Sequence, residues 1–260
     1  MAAEIITIAS LKGGVGKTTT SYALAAAAAA GGLRVIAVDL DPTGGLSNAL
    51  EKAKRSVTIA DVLHGRALMQ DALMDHPLGI KAVASHRSLN EEAPSEEQLR
   101  RVLGGVLDMC DIVLLDTHPH EPSLIGPLAV ADRIIVPTAL DILSLRAAAL
   151  SVGLAQQLQV LDRIRGIVVT NVKRPMSRIT ESLLNGLALS GLAFETILWY
   201  SPGWILATSG KGELPDNELL TQSKMLLREV ATRPVPEEAL RQFIAMAQGR
   251  RPRDPRPVGT

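Results

Sequence analysis

The stretch LKGGVGKTTT at residues 11–20 places Gly13, Gly14 and Gly16 directly before Lys17 and a run of threonines. Upstream, EIITIAS (4–10) is short, β-branched and unbroken, as a strand buried on both faces should be. Downstream, TTTSYALAAAAAAGG (18–32) has the alanine content of a strong helix, with Gly31 and Gly32 as its stop. RVIAVDLDP (34–42) then supplies a second strand ending in carboxylates and a proline. Such a β-loop-α-β unit implies a right-handed crossover and a parallel strand pair.

Glycines in a strand-to-helix turn let backbone N–H groups, Val15 among them, converge on a phosphate at the positive end of the helix. Lys17 would then bridge the β- and γ-phosphates, the Thr18 hydroxyl would ligate Mg²⁺, and Thr19 is placed for the α-phosphate. Two features depart from the common G-x-x-x-x-G-K-[ST] pattern. Leu11 replaces the first glycine, and a second lysine, Lys12, stands at the other end of the turn.

Further buried-strand candidates are 79–85, 111–116, 133–137, 165–171 and 193–199, separated by helix-length segments at 97–109, 141–161, 178–190 and 217–231. This alternation predicts an α/β fold with a single doubly wound, mostly parallel sheet flanked by helices. Residues 1–248 are expected to form one domain, and 249–260, rich in Pro, Gly and Arg, a disordered tail. The glutamate-rich segment 89–98 reads as a solvated loop leading into a helix.

Apolar residues make up 47% of the 260 but aromatics only 2%, so the core must be built from Ala, Val, Leu and Ile. Basic and acidic residues balance at 27 each, and contact with nucleic acid or an anionic membrane would need a local basic patch. The single cysteine, Cys110, excludes an internal disulfide and reads as a small buried residue in a reducing compartment. No signal-peptide pattern opens the chain, and no apolar run is long enough to span a bilayer.

KGGVGKTT (12–19) resembles the deviant Walker A motif of the ParA/MinD family of P-loop ATPases. The resemblance implies ATP and Mg²⁺ as ligands and a nucleotide-sandwich homodimer in which Lys12 contacts the partner's nucleotide. VDLDP (38–42) resembles the family segment whose second aspartate, Asp41, orients the attacking water, with Asp39 near the metal shell. Taken alone, these carboxylates read equally as a helix cap or a turn. DIVLLDTHP (111–119) resembles Walker B, with Asp116 holding Mg²⁺ through water, and VTN (169–171) resembles the strand end whose asparagine, Asn171, reads the adenine edge. Two stretches break the pattern: Thr43-Gly44-Gly45 follows Pro42 where the family has Gln-Gly-Asn, and His118 stands in place of the first proline of a pair.

The family offers two uses for such a switch. ParA-type members bind non-specific DNA as ATP dimers, carry plasmid, chromosome or protein cargo over the nucleoid, and are released by a ParB-like or other activating adaptor. MinD-type members bind membrane through a C-terminal amphipathic helix. EEALRQFIAMAQ (237–248) has a small apolar stripe with acidic residues before it, which suits packing on the body better than a membrane anchor. The expectation is therefore a ParA-type ATPase in the cytoplasm, associated with the nucleoid and without a preceding sequence-specific DNA-binding domain. Lys211, Lys224, Arg228, Arg250 and Arg251 are its candidate phosphate contacts, against the plainer reading of a solvated tail and ordinary helix charges. The nitrogenase iron protein shares the phosphate loop but requires cluster-ligating cysteines, which one cysteine cannot supply.

Overall fold

The computed structural model describes residues 3–50, 57–209 and 215–248. Among the described residues eight strands form one sheet: β1 (Glu4–Ile8), β2 (Val35–Asp39), β3 (Met74–Asp75), β4 (Ile80–Val83), β5 (Ile112–Asp116), β6 (Arg133–Thr138), β7 (Ile164–Val172) and β8 (Ala193–Trp199). Their order is β3-β4-β2-β5-β1-β6-β7-β8. Every pairing is parallel except that of β3 with β4. The helices are α1 (Lys17–Ala30), α2 (Gly45–Leu50), α3 (Ile59–Leu63), α4 (Glu96–Gly104), α5 (Glu121–Val130), α6 (Ile142–Gln157), α7 (Arg178–Leu189), α8 (Pro202–Ala207), α9 (Asn217–Thr232) and α10 (Glu237–Ala247).

Both faces of the sheet are covered, and alternate side chains go to opposite layers. In β2, Val35 and Ala37 pack with Leu24 of α1 and Leu226 of α9, while Ile36 and Val38 pack with Leu99 and Leu103 of α4. Near the other edge, Ile167 and Val169 of β7 join Ala148 and Val152 of α6. The alanine run of α1 is buried from Ala23 to Ala28 because the helix lies between the sheet and α9. Small side chains permit that double contact.

Helix α4 stops at Gly104, earlier than the expected 97–109, since the Gly104-Gly105 pair favours leaving the helix. Its start is a reciprocal cap: Ser95 Oγ accepts from Gln98 N at 3.2 Å, and Gln98 Oε1 accepts from Ser95 N at 2.9 Å. Cys110 is buried, and burial pushes its thiol up to about 11. In α10, Leu240, Phe243 and Ile244 are buried in the same layer as α6, so the apolar stripe packs on the body. Among the described residues no helix is long and apolar enough to cross a membrane. The proposed tail at 249–260 lies outside the described residues.

Candidate functional site

Strand register brings the site together. Asp116 is level with Ile8 of β1 on one side and with Asp39 of β2 on the other. The loop after β1 therefore leaves the sheet beside two carboxylates, at the strand ends where α/β folds bind ligands. A cavity of about 600 Å³ opens there, its walls including Gly13, Gly14, Gly16, Lys17, Thr18 and Thr19.

The loop conformation depends on glycine. Gly16 caps α1 with φ 80°, and a Cβ at that position would lie 2.9 Å from Thr170 Oγ1. Thr170, on β7, donates from Oγ1 to the Val15 carbonyl at 2.7 Å and so fastens the loop to the sheet. No side chain caps the first turn of α1, which leaves its N–H groups for an anion. Lys17 is buried, and its Nζ donates to the Lys12 carbonyl at 3.2 Å, across the loop. Burial lowers its pKa, while the charges of Asp116 and Asp41 work the other way.

Thr18 Oγ1 donates to Asp116 Oδ2 at 2.8 Å, and Ser21 Oγ donates to Asp116 Oδ1 at 3.0 Å. Burial pushes the Asp116 carboxyl up, against the pull of Thr18, Lys17 and Ser21. Asp39 is also buried and pushed up, first by burial and then by Asp116. Its oxygens are already engaged: Oδ2 accepts from Ser47 N at 2.7 Å and Ser47 Oγ at 2.8 Å, and Oδ1 accepts from Asp41 N at 2.9 Å. Asp39 thus orders the loop after β2 from behind.

These groups fit Mg²⁺. The donors near the phosphate loop are a hydroxyl and carboxylates, the hard oxygen ligands Mg²⁺ prefers, and two buried carboxylates side by side favour a cation between them and the phosphates. Among the described residues no group of three or more His, Cys, Asp or Glu could hold a metal by itself. The ion would share its shell with phosphate oxygens and water, with Thr18 as a direct ligand and Asp116 behind it.

Asp41 reaches the cavity wall, where Thr43 and His118 join it. Its Oδ1 accepts from Thr43 N at 2.9 Å, Thr43 Oγ1 at 2.7 Å and His118 Nδ1 at 3.1 Å. Lys12 points elsewhere: its Nζ donates to Ser144 Oγ at 2.7 Å and to Asp141 Oδ1 at 3.1 Å, at the start of α6. Within a single chain this lysine is held by its own subunit.

Asn171 has φ 56° and lies on the cavity wall at the end of β7. Beside it stand Trp199, Tyr200 and Trp204, half of the six aromatic residues in the chain. Composition gave no sign of this wall, because its members come from a strand end and from α8, a helix too short to show a periodic pattern. Next to it, Arg174 stacks 3.7 Å from the Trp199 ring centre and Lys173 lies 4.9 Å from that of Tyr200. Lys173, Arg174 and Arg178 are exposed and form no ion pair among the described residues. Lys224 and Arg228 lie at the other end of the sheet, around a groove shared with Glu4, Ile112 and Arg133 at the strand starts. Lys211, Arg250 and Arg251 fall outside the described residues.

Comparison with known proteins agrees with this geometry. A sequence model of the AAA domain matches residues 3–172. The chromosome partitioning protein ParA of Caulobacter vibrioides is 32% identical over 176 residues, covering 63% of this chain and 64% of that protein. The putative plasmid partition protein BB_S35 of Borrelia burgdorferi, bound to AMPPNP, superposes with a TM-score of 0.77 at 20% identity, covering 88% of this chain and 98% of that one. Cobyrinic acid a,c-diamide synthase of Mycobacterium smegmatis, with an ATP analogue and magnesium, gives a TM-score of 0.65 at 25% identity, covering 79% and 91%. With the AAA domain spanning the phosphate loop, both carboxylate strand ends and Asn171, the chain belongs to the ParA-type P-loop ATPases.

Proposed function

We propose that this protein is an ATP-driven dimerisation switch that binds non-specific DNA and positions cargo over the nucleoid, reset by Mg²⁺-dependent hydrolysis of ATP. The observation that carries the reading is the phosphate loop itself, with buried Lys17 at its centre and Thr18 hydrogen-bonded to Asp116. ATP is the nucleotide, with its phosphates in the loop and its base between Asn171 and the aromatic wall. Bound Mg²⁺ supplies charge neutralisation at the phosphates. Lys17 binds the terminal phosphates, the first-turn N–H groups of α1 orient them, and Asp41 accepts a hydrogen from the attacking water. The electrostatic cage is completed by Lys12 of a second copy, once Lys12 leaves Asp141 and Ser144.

The DNA surface is best supported at Lys173, Arg174 and Arg178. Lys173 and Arg174 line a groove that shares Trp199 and Tyr200 with the nucleotide cavity, where dimerisation can alter them, and exposed Arg178 starts the helix that follows, whereas Lys224 and Arg228 sit at the far end of the sheet. An activating adaptor of the ParB kind and a cargo complete the cycle.

The test is binding of the purified protein to non-specific duplex DNA and to anionic liposomes, with ATP or ADP, at two salt concentrations. The expected result is binding to DNA that requires ATP and falls steeply with salt. It should be lost in a Lys173→Glu/Arg174→Glu variant and kept in Lys224→Glu. Lys12→Ala should abolish the ATP-dependent dimer in light scattering while nucleotide still binds. ATP-dependent binding to liposomes alone would replace this reading with a membrane-positioning one.

A further inference from the structure

Two departures from the family pattern, Thr43 and His118, lie 75 residues apart in sequence and meet on a single oxygen atom. Asp41 Oδ1 accepts all three donors that reach the side chain: the Thr43 amide at 2.9 Å, the Thr43 hydroxyl at 2.7 Å and His118 Nδ1 at 3.1 Å. Asp41 Oδ2 has no hydrogen-bond partner among the described residues. A carboxylate only accepts hydrogen bonds, so the His118 proton sits on Nδ1. The imidazole also ties two loops together. Asp41 belongs to the loop after β2, and His118 stands two residues beyond Asp116 at the end of β5. The Asp41 and His118 side chains are only 13% and 24% exposed, so water competes weakly for the contact.

We infer that His118 and Thr43 act together as positioning residues for Asp41: they saturate one carboxylate oxygen and fix the plane of the group, which leaves Oδ2 free for the attacking water. A carboxylate fixed by three bonds pays little reorientation when the water arrives, and a freely rotating one loses much of its effect. The inference rests on the ATPase reading, with Asp41 as the group that orients water.

The experiment is steady-state Mg-ATP hydrolysis by the full chain, with ATP affinity measured separately by equilibrium binding, for the wild type, His118→Ala, His118→Asn, Thr43→Val, Asp41→Ala and the His118→Ala/Asp41→Ala double variant. His118→Ala is expected to lower kcat by roughly tenfold, less than the ~100-fold or more contributed by a group that itself transfers a proton, because His118 acts through Asp41. ATP affinity should stay within about twofold, because the residue acts after binding. His118→Asn, whose amide can donate from a similar position, should recover most of the loss. In the Asp41→Ala background His118→Ala should cost nothing further, since residues acting through one group are not additive. Thr43→Val removes the hydroxyl bond and keeps the amide bond; it should lower kcat by a smaller factor and gives a second readout should His118→Ala fold poorly. A kcat for His118→Ala within about twofold of wild type, or an equal loss in both backgrounds, would overturn the inference and leave the ATPase reading standing. A wild type that binds Mg-ATP and never hydrolyses it would overturn both.

Discussion

Replacing Gly16 by alanine tests whether the phosphate loop is held by the sheet or only by its own turn. Gly16 has φ 80°, a region that costs an L-residue about 1–2 kcal/mol. The new Cβ would also stand 2.9 Å from Thr170 Oγ1 and 3.0 Å from Thr170 Cβ. Thr170 would have to move, losing its 2.7 Å bond to the Val15 carbonyl, worth about 1 kcal/mol. The total is about 2–3 kcal/mol, or a fall in Tm of roughly 4–12 °C for a domain of this size. Gly14 is the matched control: its φ is 74°, but nothing lies within 4 Å of a Cβ there, so Gly14→Ala should cost the backbone term alone. The assay is thermal and urea unfolding of the nucleotide-free protein for Gly14→Ala, Gly16→Ala, Thr170→Ala and the Gly16→Ala/Thr170→Ala pair. The clamp predicts that Thr170→Ala is harmful alone and nearly neutral once Gly16 is alanine, a coupling of about 1 kcal/mol. Equal losses for the two glycine variants, with additive Thr170→Ala, would refute it.

Two other outcomes follow from the charges. Asp141 Oδ1 accepts from Ser144 N at 2.8 Å, a cap that asparagine can keep, so Asp141→Asn removes the charge that holds Lys12 and spares α6. Each exposed Lys12–Asp141 pair is worth at most about 1 kcal/mol and a symmetric dimer breaks one in each subunit, about 2 kcal/mol in all, so the variant should form the ATP-dependent dimer at up to roughly thirtyfold lower protein concentration in sedimentation; weaker dimerisation would count against the contact as a restraint. Hydrogen bonds from the Arg34 side chain and amide hold Asp111 down at about 2. A lowered carboxyl pKa stabilises the fold fully above its unfolded value, about 4, and the contribution is lost as pH falls toward 2. Asp111→Asn should therefore flatten the stability curve between pH 4 and 2 and leave its slope near neutrality unchanged, as read by urea midpoints.

Local pattern settled much of this protein. Unbroken β-branched runs marked β1, β2, β5, β6 and β7, because a strand buried on both faces needs no polar alternation. The glycine turn followed by an alanine-rich helix marked the phosphate loop, since backbone approach to an anion demands glycine within a short span. The stripe in α10 was legible as a packing face, and Leu240, Phe243 and Ile244 are buried. Short elements escaped. Strand β3 has two residues and pairs antiparallel at the edge, while α2, α3 and α8 span too few turns for a period to show.

What the sequence could not determine is who meets whom across long separations. Asp39 reads from the sequence as a residue near the metal shell; that its oxygens also accept from Ser47 and the Asp41 amide is visible only once α2 folds back on the strand end. Lys12 finds Asp141 and Ser144 some 130 residues away, and His118 finds Asp41 across 77. Lys173 and Arg174 come to lie on aromatic rings through the pairing of β7 with β8, a placement no local pattern shows. Spacing along the chain encodes the strand, the turn and the helix because those depend on neighbours within a few residues. The sheet order and register then decided which loop ends share a cavity, because parallel strands joined by crossovers align residues that no local pattern relates.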